Sequence, residues 1–332
     1  MKDAKHGMSC RASCRIALIV GLLLGLPYAG LNAQGYPTKP VRVVAQGSAG
    51  SLQDSLARLV FSRVSEALGQ PFIVDNRPGA GGIIAVEAVA KAPTDGYTLL
   101  TTVNGPMVVE PFLHSKLGYD PLRDFEPVSM LVKISEVLIV NPSLGVKTVD
   151  EFVRLAKARP GQITYASAGN GHPTHLMMEL FQRKAGIQLV HVPYKGASPA
   201  IQAVVSGEAG AVNIGIGLAR PHISNGKVLA LAKTGQPAKD ALPGVPALTT
   251  FFADTEYIPW IAAFAPKGTP KDIVAKLNAQ IGKALASSEI RTRMGNMDLT
   301  PVGGSPGELD KTLRADLEVN RELVKSIGLK VD

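Results

Sequence analysis

The chain has 332 residues, of which 45% are hydrophobic, and a formal net charge of +8. That is enough to bury one large core or two medium ones, and too apolar for a disordered chain. Its only cysteines, Cys10 and Cys14, precede an uncharged apolar run at 16–26, so a mature chain beginning after that run has no disulfide, thiol nucleophile or cysteine metal site.

Residues 1–15 are polar and carry Lys2, Lys5, Arg11 and Arg15; the apolar run follows, and Ala33 precedes Gln34. This order predicts a secretory signal peptide over 1–33 and export to the periplasm. The run is too short to span a bilayer; a retained anchor helix is the alternative, and Leu31 is larger than is usual three residues before a cut. The segment removes four basic and one acidic side chains, leaving 31 and 26, a charge of +5. That mild excess suits small anions. Without a basic stripe and interleaved aromatics, it predicts no nucleic-acid partner.

Beyond the signal the pattern is of βα units. A strand at 41–45, a Gly/Ser loop and a helix at 52–67 come first, and Gly69 before Pro71 stops the helix. A strand at 71–75, a glycine-rich turn at 76–82, a short helix at 83–91 and a strand at 97–103 follow, which predicts a mainly parallel sheet flanked by helices. Two strand-like pieces in succession, 128–132 and 137–140, suggest a crossing between domains. A second series then begins with a capping box at Thr148 and Glu151 and a helix to 158. Strands are expected at 163–166, 189–192, 211–214 and 228–234, and helices at 174–185 and 198–206. Residues 258–265 read as the return crossing. Thr269 and Ser305, each followed by proline and then an acid at Asp272 or Glu308, open the last two helices, 270–286 and 306–327. The layout predicts one discontinuous lobe, 34–134 with 255–332, a second lobe, 135–254, and a ligand cleft between them.

The stretch SAGNGHPTHLMME at 167–179 runs from a strand through a glycine turn into a helix. No carboxylate stands between Tyr165 and Glu179, although a helix start favours one. Gly169 and Gly171 could turn N–H groups toward a small anion; a plain tight turn capped by Thr174 accounts for the same residues. Three comparable loops follow strands at 46–54, 104–107 and 213–217, where the crevice of an open α/β sheet lies. The candidate ligand-binding residues are Ser48, Ala49, Gly50, Ser51, Asp54, Asn104, Gly105, Ser167, Gly169, Asn170, Gly171, Thr174, Asn213 and Gly215.

Other chemistries fail on spacing. Gly215-x-Gly217-x-x-Arg220 lacks the third glycine of a dinucleotide loop. His172-x-x-His175 has no H-E-x-x-H glutamate, and His172 precedes Pro173, off the helix. His191 alternates with apolar residues along a strand. No Gly-x-Ser-x-Gly elbow occurs, and 77–82 lacks the Lys-Ser/Thr ending of a phosphate loop, so it is read as backbone packing. No catalytic residue, metal or cofactor is expected. Trp260, the only tryptophan, is either a reporter of cleft closure or core.

Taken in order, several motifs form a series: Tyr36-Pro-Thr-Lys-Pro, Val74-Asp-Asn-Arg-Pro-Gly-Ala-Gly-Gly82, Asp95-Gly-Tyr-Thr-Leu-Leu100, Tyr119-Asp-Pro121 and Asp124-Phe-Glu-Pro-Val128. Tyr165-Ala-Ser-Ala-Gly-Asn-Gly171, His191-Val-Pro-Tyr-Lys-Gly196, Ala265-Pro-Lys-Gly-Thr-Pro270 and Pro301-Val-Gly-Gly304 complete it. From Tyr36 onward the chain resembles the Bug receptors, the periplasmic solute-binding proteins of tripartite tricarboxylate transporters. The resemblance implies a type II-like, two-lobed binding protein, monomeric and not an enzyme. Such a protein closes on a small organic acid and delivers it to membrane subunits of the transporter. Carried over by position, it points to the same four loops and adds Tyr194 and Lys195. The first loop departs from the common Pro-Gly-Gly-Ser-Thr-Asp at Ser51 and Gln53. The aspartate that relatives often carry at the position of Ile214 is absent, which favours a plain or partly apolar carboxylate. A sensory module feeding a signalling receptor, or an exported enzyme, are the alternatives.

Overall fold

The computed structural model describes residues 35–235, 242–253, 255 and 257–328. The expected signal segment, with Cys10 and Cys14, lies outside them. The chain divides into two compact units, 1–36 and 37–332, and both sheets belong to the second. Among the described residues no helix is long and apolar enough to cross a membrane.

Two mixed sheets, each flanked by helices, make two lobes. The first contains β1 (Val41–Ala45), β2 (Phe72–Asn76), β3 (Thr98–Val103), β4 (Phe125–Ile134), β10 (Trp260–Pro266) and β11 (Leu299–Gly303), in the order β11-β4-β10-β3-β1-β2. Strands β1 to β4 run one way; β10 and β11 oppose them. The second contains β5 (Glu136–Val140), β6 (Thr164–Ser167), β7 (Val190–Pro193), β8 (Ala211–Gly215) and β9 (Leu229–Thr234), in the order β7-β6-β8-β5-β9, with only β5 reversed. The reversed strands are what a crossing produces, because a chain that leaves one sheet must enter the other from the cleft side.

The helices are α1 (Leu52–Leu68), α2 (Ile83–Ala90), α3 (Asn104–Val108), α4 (Glu110–Leu113), α5 (Val149–Ala158), α6 (Pro173–Ala185), α7 (Ala197–Ser206), α8 (Ile216–Ser224), α9 (Lys271–Ala286), α10 (Ser288–Asn296) and α11 (Pro306–Ile327). Three helix starts test the capping expectations. Ser305 forms the full box with Glu308. Thr148 caps the Glu151 N–H, but Glu151 reaches back to the Lys147 N–H instead. Thr269 is not a cap: its hydroxyl donates to the Pro266 carbonyl, and Pro270 precedes the first helical residue.

Side chains of the second sheet alternate as strands require. Val137, Ile139, Val212 and Ile214 pack on one face with Ala200, Ile201 and Val204 of α7. Leu138, Val140 and Tyr165 face the other way, into a cluster with Phe152 and Phe181 that continues into the first lobe through Trp260, Phe125 and Phe264. Trp260 is therefore core; its indole N–H donates to Asp316 at 2.7 Å.

The crossings lie side by side. Ser135 alone separates β4 from β5. Its carbonyl accepts the Ile216 N–H, and the Ile134 N–H donates to the Pro259 carbonyl on the returning strand, at 2.7 Å.

Candidate functional site

The first loop follows β1 and is braced from within. Ser51 caps α1 through the Asp54 N–H. Asp54 is buried, yet its oxygens accept from the Gly50 N–H at 2.9 Å and the Arg58 Nε at 2.8 Å. Burial alone would raise its pKa; the Gly50 N–H, Asn76 and Arg58 together hold it below the usual carboxylate value. Ser48, Ala49 and Gly50 are exposed at the rim.

Gln46, at the same strand end, gave no sequence signal. Its Oε1 accepts from the Thr102 hydroxyl at 2.6 Å and the Val103 N–H at 3.1 Å, and its Nε2 donates to the Gly81 carbonyl at 2.8 Å. The 77–82 turn is backbone packing against this amide: Gly82 has φ +110°, and a Cβ there would stand 2.3 Å from Gln46 Nε2.

The second loop opens α3. Asn104 and Gly105 are buried, and Asn104 Nδ2 donates to the Tyr257 hydroxyl at 3.4 Å. Glu110, in α4, lies between the lobes, within reach of both Gly81 and Gly171. Burial raises its pKa, opposed by His114 at 3.0 Å.

The third loop corrects an expectation. His172, not Thr174, caps α6: its Nδ1 accepts the Thr174 N–H. Thr174 Oγ1 accepts from the Ala168 N–H at 2.9 Å, and Ser167 Oγ from the Gly169 N–H at 3.1 Å. His175 Nδ1 accepts the Gly171 N–H at 3.1 Å. Most of the turn's donors are thus satisfied by its own hydroxyls and imidazoles. Asn170 stands exposed at its tip.

His175 stacks on His191 at 3.9 Å between ring centroids, and His191 on Tyr165 at 4.9 Å. Ser167 Oγ lies 2.6 Å from His191 Nε2, and Tyr165 donates to Glu179. Burial pushes His172, His175 and His191 each down to about 4. Among the described residues no group of three or more His, Cys, Asp or Glu is placed to hold a metal.

The fourth loop ends β8. Asn213 is buried; its Nδ2 donates to Glu136, a residue the sequence reading missed, and its Oδ1 accepts from Thr234 at 3.4 Å. Gly215 pairs with Glu136 across the strands. Tyr194 donates its N–H to the Ser167 carbonyl at 2.9 Å, while its hydroxyl turns to Glu208 at 2.9 Å; Lys195 is exposed.

Glycines let the strand ends of the two sheets approach. A Cβ on Gly105 would sit 3.8 Å from Pro173, and one on Gly171 would sit 2.5 Å from Leu113. One on Gly217 would sit 2.6 Å from the Met297 carbonyl. Beside that contact Arg220 of α8 grips Asp298 through both oxygens. A surface hollow of about 480 Å³ near Glu179 and Arg183 takes no residue from the first sheet and is separate from this convergence.

A family model described as "Tripartite tricarboxylate transporter family receptor" matches residues 56–329. Protein BugT of Bordetella pertussis is 32% identical over 321 residues, covering 96% of this chain and 98% of that one. An adipate-bound protein of R. palustris shares the fold with a TM-score of 0.80 at 31% identity, covering 88% of this chain and 98% of that one. MatC from Rhodopseudomonas palustris with bound malate gives 0.76 at 30% identity, covering 87% and 100%.

Proposed function

Since the chain belongs to the tripartite tricarboxylate transporter receptor family, we propose that it binds a small organic acid between its lobes in the periplasm and delivers it to membrane subunits of such a transporter. It is a solute receptor, not an enzyme. We assign the lobes to 34–134 with 255–332 and to 135–254, after a signal peptide at 1–33, and expect a monomer.

The observation that carries this reading is the meeting of strand-end loops from both sheets at Gly105 with Pro173 and at Gly171 with Leu113. Loops that meet only when two lobes approach can bind a solute cooperatively with closure, so the ligand shifts the open–closed population. The acids bound by the similar structures, adipate and malate, support a carboxylate as the ligand class.

Mass spectrometry of the natively purified chain should find a bound acid. Thermal melting against a carboxylate panel should show stabilisation of about 2.7 kcal/mol at a hundredfold excess over Kd. A broad panel of aliphatic and aromatic acids that leaves the melting temperature unmoved would refute the receptor reading.

A further inference from the structure

We propose that the solute carries a hydrogen-bond donor beside its carboxylate, a hydroxyl or an ammonium group, and that Asn104 and Glu136 are the residues that select for it. The inference rests on the receptor reading above and narrows its ligand class, and it replaces the expectation of a plain carboxylate drawn from the missing aspartate at Ile214 with one drawn from Asn104 and Glu136.

Asn104 follows β3 as the first residue of α3, beside Gly105 where it approaches Pro173 of the second lobe, and is 1% exposed. Its Nδ2 is taken by the Tyr257 hydroxyl, but its Oδ1 is buried with no hydrogen-bond partner. Buried amide oxygens are nearly always paired in folded proteins. An unpaired one at a strand end, beside Gly105 where the lobes meet, is an acceptor held ready for a donor from outside the chain.

Glu136 supplies the second observation. It is the first residue of β5, and its cross-strand partners are Gly215 and Thr234 at the carboxyl ends of β8 and β9. It is 4% exposed and accepts from Asn213 Nδ2. Burial raises its proton affinity and the Asn213 amide offsets this only in part; among the described residues no cation contributes. Tyr257 links the two sites: its hydroxyl meets Asn104, and burial, then Asp316 and then Glu136, disfavour its ionisation.

Asn104 and Glu136 therefore present an amide oxygen and a carboxyl group, and among the described residues no cation acts on Glu136. A solute carboxylate facing Asn104 Oδ1 would be left without a partner, whereas a hydroxyl or ammonium satisfies the open acceptor. The solute's carboxylate belongs instead toward the exposed loops at Ser48–Gly50 and Asn170. A donor-lacking acid leaves the buried acceptor unpaired, which is the kind of loss that gives strong discrimination.

The test is calorimetry on the mature chain with two matched series: succinate, malate and aspartate; adipate, 2-hydroxyadipate and 2-aminoadipate. We expect a donor-bearing acid to bind at least tenfold more tightly than its unsubstituted partner, and Asn104→Ala to reduce that preference below threefold. Glu136→Gln then separates the donors: it preserves affinity for a hydroxy acid and lowers affinity for an amino acid about tenfold. Succinate or adipate binding within threefold of its substituted partners would overturn the inference and leave the receptor reading intact, because it means that the Asn104 amide offers its N–H₂ to the ligand. A preference unchanged in Asn104→Ala would overturn it too. If that variant does not fold, the comparison in the parent chain decides. If no acid in either series binds, the inference falls, and the broader panel of aliphatic and aromatic acids decides the receptor reading separately.

Discussion

Glu136 and the histidines His172, His175 and His191 make the stability of this receptor depend on pH in opposite senses. Burial pushes Glu136 up to about 8, while an unfolded glutamate titrates near 4.3. Between those values the folded chain holds a proton that the unfolded chain has lost, so stability falls as pH rises, by about 1.4 kcal/mol per unit. Glu136→Gln removes that dependence, and relative to the parent it should gain on the order of 3 kcal/mol between pH 5 and pH 8, measured by urea unfolding. The histidines act the other way. His172, His175 and His191 stay neutral down to about 4, whereas unfolded histidine protonates near 6.5. Above that value they contribute nothing; below it the unfolded chain takes up protons that the folded chain refuses. The melting temperature of Glu136→Gln should therefore fall steadily from pH 6.5 to pH 4. A flat profile over that range would contradict the buried stack. None of this was legible in the sequence, because Glu136 and Asn213 meet only through strand pairing across 77 positions.

Elements were far more legible than contacts. The strand at 41–45 falls where the sequence Val41-Arg-Val-Val-Ala45 put it, and α1 is capped by Ser51 and stops at Gly69 as its end signals require. Three of the elements that sequence reading missed carry breakers, while α10 (Ser288–Asn296) was missed without one before its last turn. α3 begins Asn-Gly-Pro, α8 contains Gly217 and Pro221, and β11 contains Pro301. Local propensity opposes each of them. Packing holds α8 against β5 and β8, and Pro301 is tolerated because β11 lies at a sheet edge. Glycine positions allow a controlled comparison. Gly69 and Gly82 both have positive φ, but a Cβ meets nothing within 4 Å at Gly69 and stands 2.3 Å from Gln46 at Gly82. Gly69→Ala should cost about 1 kcal/mol, the strain of a left-handed residue alone. Gly82→Ala should cost roughly 2–4 kcal/mol, because it also displaces the amide that ties β1 to β3. Denaturant midpoints with unchanged slopes would measure both.

At the scale of the molecule, a clasp ties the two lobes together. Arg220 and Asp298 join the lobes through two parallel hydrogen bonds, with Asp298 held at φ +54° and Gly217 against Met297. The pair is partly exposed, with Arg220 at 41%, so its contribution to closure is about 1 kcal/mol. Arg220→Ala should weaken binding of a confirmed ligand about fivefold, mainly through faster release, read by stopped-flow displacement. Gly217→Ala should do more, since its new methyl group pushes on a backbone carbonyl rather than on a flexible side chain. Unchanged release in both variants would place the clasp outside the closing motion. The two lobes themselves could be foreseen from consecutive strand signals near 130 and 138. The clasp could not, because Arg220 and Asp298 are 78 positions apart and belong to an unforeseen helix and a turn beside an unforeseen strand.

Ser135 has a mechanical corollary. With one residue between β4 and β5, and the return segment laced to it through Ile134 and Pro259, the halves are joined by a two-ply cord instead of a loose tether. Such a joint can wring but cannot slide. A solute wedged beside Gly105 would then shift the gap at Gly217 by leverage, so that occupancy is reported at a distance from the contents of the jaw.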